Sequence, residues 1–362
     1  MEKQIIGTMS GTSMDGVDVA LLKTDGEGLC EPGATHMRPY NASERAAIRD
    51  AAQSFGQDGA GNDDLIRSAE DAVTNAHIEA ISALMEAEDL TADDIDLVGF
   101  HGQTLFHAPD KGVTVQTGDA KRLVHALATD VVHDFRTVDV AAGGEGAPLV
   151  PIFHKVLVTN AAVEGPVAVV NIGGVANATI IDGDDLIAFD TGPGSALIDD
   201  WIRSRTSKTF DQWGRIAGEG RVNEIIVNEM LADPYFDRQP PKSLDRDTFS
   251  WQALDRVSLA DGAASLTAFS ARSIAKGLSA FGIKTCFVTG GGAHNRTMMR
   301  MLTEASGLQP QPMDLLGLDG DFVEAYAFAY LAARVAADLP ITFPGTTGVA
   351  TPLTGGSIER KP

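Results

Sequence analysis

The fold is decided near the beginning of the chain, by the stretch Ile5-Ile6-Gly7-Thr8-Met9-Ser10-Gly11-Thr12-Ser13-Met14-Asp15-Gly16-Val17-Asp18-Val19-Ala20-Leu21-Leu22. An apolar segment leads into a loop of glycine, serine and threonine, and a second apolar segment follows. This order predicts a β-hairpin. Glycine lets the loop backbone approach a ligand closely, and the loop hydroxyls and amides form a concave set of donors suited to phosphate. An ordinary glycine-rich hairpin is the alternative interpretation.

Composition narrows the class of protein and its compartment. The 362 residues are enough for two domains, and the formal net charge is −22. This acidity, without any lysine- or arginine-rich run, disfavours nucleic acids and anionic membranes as partners. Cys30 and Cys286 are the only cysteines, so no disulfide framework is expected. Neither a signal peptide nor a membrane span is predicted, and we expect a soluble cytoplasmic protein.

The second half of the chain repeats the plan of the opening hairpin. Residues 167–181 again run strand, glycine loop and strand, with Gly173 and Gly174 at the turn. The glycine- and proline-rich stretch 141–151 lies between the two halves and predicts a domain boundary. We therefore expect an N-terminal domain over residues 1–140, joined by the C-terminal tail, and a C-terminal domain of related fold over residues 141–340.

Polar or glycine-rich residues follow several predicted strands, where open α/β sheets place their ligands. His101 follows the strand 97–100, Gly290-Gly291-Gly292 follows the strand 286–289, and Asp190 ends the strand 186–190 before Thr191-Gly192-Pro193-Gly194. Asp190 is a candidate general base, although a turn-stabilising or helix-capping aspartate is the alternative. His101 is either a site residue or a structural one.

Glu324 interrupts the almost wholly apolar predicted helix 322–336. A carboxylate among apolar residues is costly unless it is paired or functional. Neither the sequence Gly-x-x-x-x-Gly-Lys-Ser/Thr nor the protein-kinase signature set occurs in the chain, which excludes those two classes of phosphate site.

Three glycine- and hydroxyl-rich loops spread over two related halves resemble the sugar kinase, Hsp70 and actin superfamily. Within it the chain is similar to the anhydro-N-acetylmuramic acid kinases. The resemblance implies an α/β fold with two related domains of the ribonuclease H-like type around a central cleft. The stretches that carry it run in the family's order: 9–18, 99–104, 134–136, 140–144, 171–174, 189–194 and 290–295. Lys242-Ser243-Leu244-Asp245-Arg246 departs from the family's Ser-Thr-Gly-Arg-like stretch, which leaves the role of this loop in the cleft open.

The resemblance also implies a reaction. ATP, water and 1,6-anhydro-N-acetylmuramic acid would give ADP and N-acetylmuramic acid 6-phosphate, with Mg²⁺, in the recycling of cell-wall peptidoglycan. Asp190 would deprotonate the water, and a homodimer is implied. A kinase of another sugar acid and an ATP-driven switch protein of the actin or Hsp70 type remain as alternatives.

The resemblance assigns the remaining site residues to substrates, and it identifies no metal ligands. His101, Arg136 and Glu324 would bind the sugar, with Arg136 pairing with the lactyl carboxylate. The residues expected to bind ATP are Gly11, Thr12, Ser13, Met14, Asp15, Gly16, Val17 and Asp18 of the first hairpin, Gly173 and Gly174 of the second, and Gly290, Gly291 and Gly292 near adenosine.

Overall fold

The computed structural model describes residues 1–11, 13–56, 59–246 and 248–362. The chain divides into two compact units, the first comprising Met1–Asn160 and Phe322–Pro362 and the second Ala161–Asp321. The division therefore falls at residue 160 rather than at the expected residue 140, and the helix that begins at Val323 belongs to the first unit. The glycine-rich stretch 141–151 lies within the first unit, because the helix after it packs there through Phe153, whose ring centroid is 5.6 Å from that of Tyr330.

The strands, in chain order, are β1 (Lys3–Ser10), β2 (Gly16–Thr24), β3 (Cys30–Pro39), β4 (Leu97–Ala108), β5 (Val113–Thr117), β6 (Val131–His133), β7 (Val167–Ile172), β8 (Val175–Asp182), β9 (Asp185–Pro193), β10 (Thr285–Thr289), β11 (Pro310–Pro312) and β12 (Ser357–Glu359). The α-helices are α1 (Ala42–Gln53), α2 (Asp63–Ala87), α3 (Ala120–Leu127), α4 (Thr137–Ala141), α5 (Pro151–Asn160), α6 (Ala196–Arg205), α7 (Arg215–Glu219), α8 (Glu224–Leu231), α9 (Leu259–Leu278), α10 (Arg296–Ser306), α11 (Val323–Ala336) and α12 (Pro344–Thr347).

The first sheet has its opening strand at the centre. Its order is β12-β6-β4-β1-β2-β3, with β5 paired to β4. On one side β1, β2 and β3 form an antiparallel meander. On the other side β4 pairs parallel to β1, and β6 pairs parallel to β4. The carboxyl ends of β1, β4 and β6 consequently lie at one edge of the sheet.

The second sheet repeats this plan. Its order is β11-β10-β7-β8-β9, in which β7, β8 and β9 form an antiparallel meander, and β10 and β11 continue in parallel from β7. Strand for strand, β7 to β9 correspond to β1 to β3, whereas β10 and β11 correspond to β4 and β6. The predicted α/β fold with two related domains is thus confirmed in the topology of each unit.

Local details differ from the sequence-based expectations where tertiary contacts decide. Strand β3 begins at Cys30 and includes Pro32 and Gly33, which an edge strand tolerates. The strand expected to end at residue 100 continues to Ala108, because β5 pairs with its second half. Asn62 caps α2 by accepting hydrogen bonds from two backbone amides.

Helix α11 lies directly on the backbone of the first sheet. A Cβ added at Gly7 of β1 would be 2.0 Å from the Ala325 carbonyl oxygen, and one added at Gly99 of β4 would be 2.3 Å from the Phe328 carbonyl oxygen. Only glycine permits this approach. The close contact fixes the position of Glu324, which lies in the first turn of α11. Within the described part of the chain, no helix is both long and apolar enough to traverse a bilayer.

Candidate active site

The end of β1 is joined to β4 by a buried network of polar side chains. Ser10 is paired with Gln103 in the parallel register, and the Ser10 hydroxyl contacts both the Gln103 side chain and the Tyr40 hydroxyl, the latter at 3.0 Å. Gln103 in turn donates from Nε2 to the carbonyl oxygen of Gly11 at 3.2 Å. Gly11, the first residue of the predicted phosphate loop, is therefore hydrogen-bonded to this buried network.

The loop between β1 and β2 is itself a tight turn. The Met14 amide donates to the Gly11 carbonyl oxygen at 3.1 Å, and Met14 has a positive φ of 54°. The Ser13 hydroxyl donates to Asp15 at 2.7 Å. Gly16, Val17 and Asp18 belong to β2 rather than to the loop. Thr12 lies outside the described residues.

Arg136 follows β6 at the same edge of the first sheet and forms the centre of a second polar group. Its guanidinium contacts Nε2 of His101 through Nη2 at 2.8 Å and donates from Nη1 to the Gly146 carbonyl oxygen at 2.7 Å. The other ring nitrogen of His101, Nδ1, lies 2.9 Å from the Gly102 carbonyl oxygen. These contacts assign the neutral tautomer with the proton on Nδ1, because Nε2 must accept from the guanidinium.

Burial and mutual charge shift the pKa values in this group. Burial lowers the pKa of His101 well below its ordinary value, and the Arg136 charge lowers it further. Burial lowers the pKa of Arg136 to about 10, against the opposing effect of Glu324 and Asp139. Burial also raises the pKa of Glu324, while Arg136 opposes that shift. At neutral pH the group thus presents a guanidinium cation oriented by an uncharged imidazole.

Asp139 fixes the loop that supports Arg136. It is 2% exposed, and its carboxylate accepts from the Gly146 amide at 2.7 Å and from the Thr347 hydroxyl at 2.6 Å. The Gly146 carbonyl is the acceptor for Arg136. A buried carboxylate that accepts two hydrogen bonds holds this loop in one conformation, and the guanidinium is positioned with it.

In the second unit, the two predicted glycine sites are in direct contact. The Gly194 and Ser195 amides donate to the carbonyl oxygens of Gly174 and Gly173 at 2.9 and 2.8 Å. A Cβ added at Gly194 would be 2.2 Å from the Gly173 carbonyl oxygen, which only glycine allows. The turn of the β7–β8 hairpin therefore packs on the segment that leads from Asp190 into α6.

Asp190 lies in β9, opposite Asn177 of β8, and contacts come to it from outside the sheet. Its carboxylate oxygen Oδ2 accepts from the Leu244 amide at 2.8 Å. The Tyr235 hydroxyl donates to its carbonyl oxygen at 2.7 Å. A charge-assisted hydrogen bond from a backbone amide favours the ionised carboxylate, which is the form that can accept a proton.

The third glycine stretch borders a pocket of about 220 Å³ at the carboxyl ends of β10 and β11. Gly290 has a φ of 80°, and a Cβ there would be 2.3 Å from the Asn171 side-chain oxygen. Gly291 and Gly292 begin a helical turn that ends at His294. The pocket is lined by Val288, Thr289, Gly290, Ala293, His294, Met299, Pro310, Pro312, Asp314, Asp319, Gly320 and Asp321.

The structure brings His101, Arg136 and Glu324 together in the first unit, and Asp190 close to the segment that contacts Gly173 and Gly174 in the second. Sequence reasoning missed Tyr40 and Tyr235, which no local pattern distinguishes from ordinary core tyrosines. It singled out Lys242–Arg246 only as a departure, yet this segment contacts Asp190. Among the described residues, no group of three or more histidine, cysteine, aspartate or glutamate side chains has the arrangement of a metal site.

A family model and curated proteins match this chain over nearly its whole length. The family model for anhydro-N-acetylmuramic acid kinase matches residues 3–361. Curated proteins of that name from Methylobacterium nodulans and Rhodopseudomonas palustris strain HaA2 are 48% and 50% identical, each over 98% of this chain and over 99% and 98% of their own lengths.

Solved structures align less closely. The activator of the 2-hydroxyisocaproyl-CoA dehydratase from Clostridium difficile with bound ADPNP covers 92% of this chain and 96% of its own, at 12% identity and a TM-score of 0.47. A ROK family glucokinase from Streptomyces griseus in complex with glucose and AMPPNP covers 91% and 98%, at 12% identity and a TM-score of 0.43. Assignment rests on the sequence matches, which extend nearly from end to end: this chain belongs to the anhydro-N-acetylmuramic acid kinase family.

Proposed function

We propose that this chain uses ATP and water to convert 1,6-anhydro-N-acetylmuramic acid into N-acetylmuramic acid 6-phosphate and ADP, in the recycling of cell-wall peptidoglycan. Family membership supports the reaction and disfavours an ATP-driven switch protein. The observation that carries the mechanism is the carboxylate of Asp190, which a backbone amide hydrogen bond favours in its ionised form.

Asp190 is proposed as the general base. Its carboxylate takes a proton from water while the water oxygen bonds to the anomeric carbon. The bond between that carbon and the bridging oxygen breaks, and this oxygen, now on C6 alone, attacks the γ-phosphorus of ATP. The bond from the γ-phosphorus to the leaving oxygen breaks and ADP departs. General-base assistance of this kind contributes roughly 10²–10⁴-fold to a rate.

The Arg136 group is proposed as the site for the sugar acid. Its guanidinium is held by His101 and the Gly146 carbonyl, and a guanidinium held in one orientation can pair with a carboxylate through two parallel hydrogen bonds. The lactyl carboxylate of the substrate offers such a partner. Glu324, whose charge interacts with that of Arg136, would accept hydrogen bonds from sugar hydroxyl groups.

The glycine loops are proposed as the ATP site. Amides around Gly11 and around Gly173 and Gly174 would donate to the phosphates, and the pocket beside Gly290 would take adenosine, with its aspartates as acceptors for ribose hydroxyls. Mg²⁺ would be carried by the phosphate oxygens and water, as is usual for this ion, and would neutralise charge on the phosphates.

We also propose that the protein is a cytoplasmic homodimer. Light scattering after size-exclusion chromatography measures the mass of the protein in solution and so tests the dimer.

Labelled water tests the reaction. Turnover in H₂¹⁸O should place ¹⁸O on the anomeric carbon of the product and none in its phosphate group. Product incubated in H₂¹⁸O without enzyme for the same time corrects for spontaneous exchange at that carbon. Label in inorganic phosphate without a phosphorylated sugar would show simple ATP hydrolysis and would contradict the proposal.

A further inference from the structure

Asp190 is contacted on both its backbone and its carboxylate by one short segment. Its amide donates to the Lys242 carbonyl oxygen at 2.9 Å, and the Leu244 amide donates to Oδ2 at 2.8 Å. Leu244 and Asp190 are more than fifty residues apart in the chain. The hydrogen bond between the Asp190 amide and the Lys242 carbonyl would be enough to stabilise the turn. The hydrogen bond from the Leu244 amide acts on the carboxylate, and it therefore bears on the charge of Asp190.

Tyr235 completes the enclosure of Asp190. The tyrosine is 4% exposed, and its hydroxyl donates to the Asp190 carbonyl oxygen at 2.7 Å. Lys242 donates from Nζ to the Tyr235 carbonyl oxygen at 3.1 Å, and this nitrogen is 4.6 Å from the centre of the tyrosine ring. Asp190, Tyr235 and Lys242 therefore form a closed circuit of contacts, and the charge of Lys242 interacts with that of Asp190.

The far end of the segment is held as well. Arg246 Nη2 lies 3.3 Å from Asp200 Oδ1 of α6, and α6 begins at Ala196, shortly after β9 ends at Pro193. The segment Lys242–Arg246 thus contacts both β9, at Asp190, and α6, at Asp200.

We propose that Tyr235 and Lys242 are positioning residues for Asp190, and that the segment Lys242–Arg246 holds its carboxylate ionised and in one direction for proton transfer. The inference rests on the proposed role of Asp190 as base. The Leu244 amide and the Lys242 ammonium both favour the ionised carboxylate. Within residues 1–11, 13–56, 59–246 and 248–362, the charged or titratable groups that interact with Lys242 are Asp190, Tyr235, Asp237, Arg238 and, from α9, Lys276.

Three variants test this positioning role, measured as kcat, both KM values and the pH dependence of kcat. Tyr235→Phe keeps the ring but loses one hydrogen bond, and kcat should fall about 3- to 10-fold with both KM values nearly unchanged. Lys242→Met removes the charge, so the pKa of the base rises and the acidic limb of the profile moves to higher pH. Lys242→Arg keeps the charge and should restore the limb.

Lys276→Met is the matched control, because it removes a neighbouring cation that pairs with Asp237 at 2.9 Å. It should leave the acidic limb in place. A loss of kcat in Tyr235→Phe and Lys242→Met with an unmoved limb and a lower melting temperature would overturn the proposal, as would wild-type behaviour of both variants. An active Asp190→Asn enzyme would instead contradict the proposed function itself, which separates the two failures.

Discussion

The two units share one sheet topology but carry opposite charges at corresponding edges. The first unit holds a cation, Arg136, and orients it through the side chain of His101 and a loop carbonyl. The second unit holds an anion, Asp190, and orients it through a backbone amide and the hydroxyl of Tyr235. The shared sheet topology therefore determines the edge at which these polar side chains lie. The loops that follow the strands determine the charge of each side chain and its hydrogen-bond partners.

This difference has a consequence for substitutions. Two of the contacts on Asp190 come from backbone groups, the Lys242 carbonyl oxygen and the Leu244 amide, so a change of the aspartate side chain can alter the charge and leave the backbone hydrogen bond to Lys242 in place. The Arg136 group depends on buried side chains, so a change there affects binding and stability together. Substitution of Asp190 should consequently alter mainly turnover, whereas substitution in the Arg136 group should alter substrate binding and stability.

Asp190→Asn should have the largest effect on turnover. Asparagine keeps the size and can still accept from the Leu244 amide, but it cannot take a proton, so kcat should fall roughly 10²–10⁴-fold while both substrates still bind. Steady-state kinetics and calorimetric titration of both substrates measure this. A folded variant that keeps more than about a tenth of the wild-type kcat would remove Asp190 from the mechanism.

Gly7→Ala should have the largest effect on stability. The added Cβ would be 2.0 Å from the Ala325 carbonyl oxygen and would push α11, with Glu324, away from the sheet. Overpacking of this kind costs about 1–3 kcal/mol or more in the free energy of unfolding, measured by urea denaturation. Gly28→Ala is the control, since a Cβ there meets nothing within 4 Å. Equal stability of the two variants would contradict the close seating of α11.

Arg136→Ala should raise the KM for the anhydro-sugar more than the KM for ATP. A lost charge-assisted hydrogen bond corresponds to about 1.5–3 kcal/mol, or tenfold and more in KM. Arg122→Ala is the control and should leave both KM values unchanged, because that arginine pairs with Asp71 and Asn75 at the surface. If Arg136→Ala changed both KM values equally, the arginine would be structural.

His77 should produce the smallest effect at neutral pH and a larger one in acid. It is fully buried under Phe100, and burial lowers its pKa to about 4 from 6.5. The unfolded chain binds a proton below pH 6.5 whereas the folded chain does not, so stability falls as the pH drops from 6.5 towards 4, by about 3 kcal/mol.

His77→Leu removes this linkage. Its free energy of unfolding should depend less on pH than that of the wild type between pH 6.5 and 4, by up to one proton, as measured by urea titrations at several pH values. The two proteins should differ little in pH dependence above pH 7. Parallel stability curves across the acidic range would show that His77 is protonated in the folded protein.

Much of this protein could be predicted from short-range patterns. The opening hairpin, its repeat at residues 167–181 and the family were all predicted, and each is confirmed. Alternating apolar residues and glycine turns act over a few residues, so they are visible in the sequence. Asp190, His101 and Glu324 were chosen because they follow predicted strands or interrupt an apolar helix, and Arg136 because of the family resemblance; their roles remain proposals.

Only the tertiary structure decided the rest, because it depends on contacts between residues distant in the chain. Strand β3 exists because β2 offers it a partner, and α5 belongs to the first unit because it packs there. The neutral His101 follows from the guanidinium placed beside it by β6. The contact between Leu244 and Asp190 joins a loop to a strand more than fifty residues away, and no local preference of either segment specifies it.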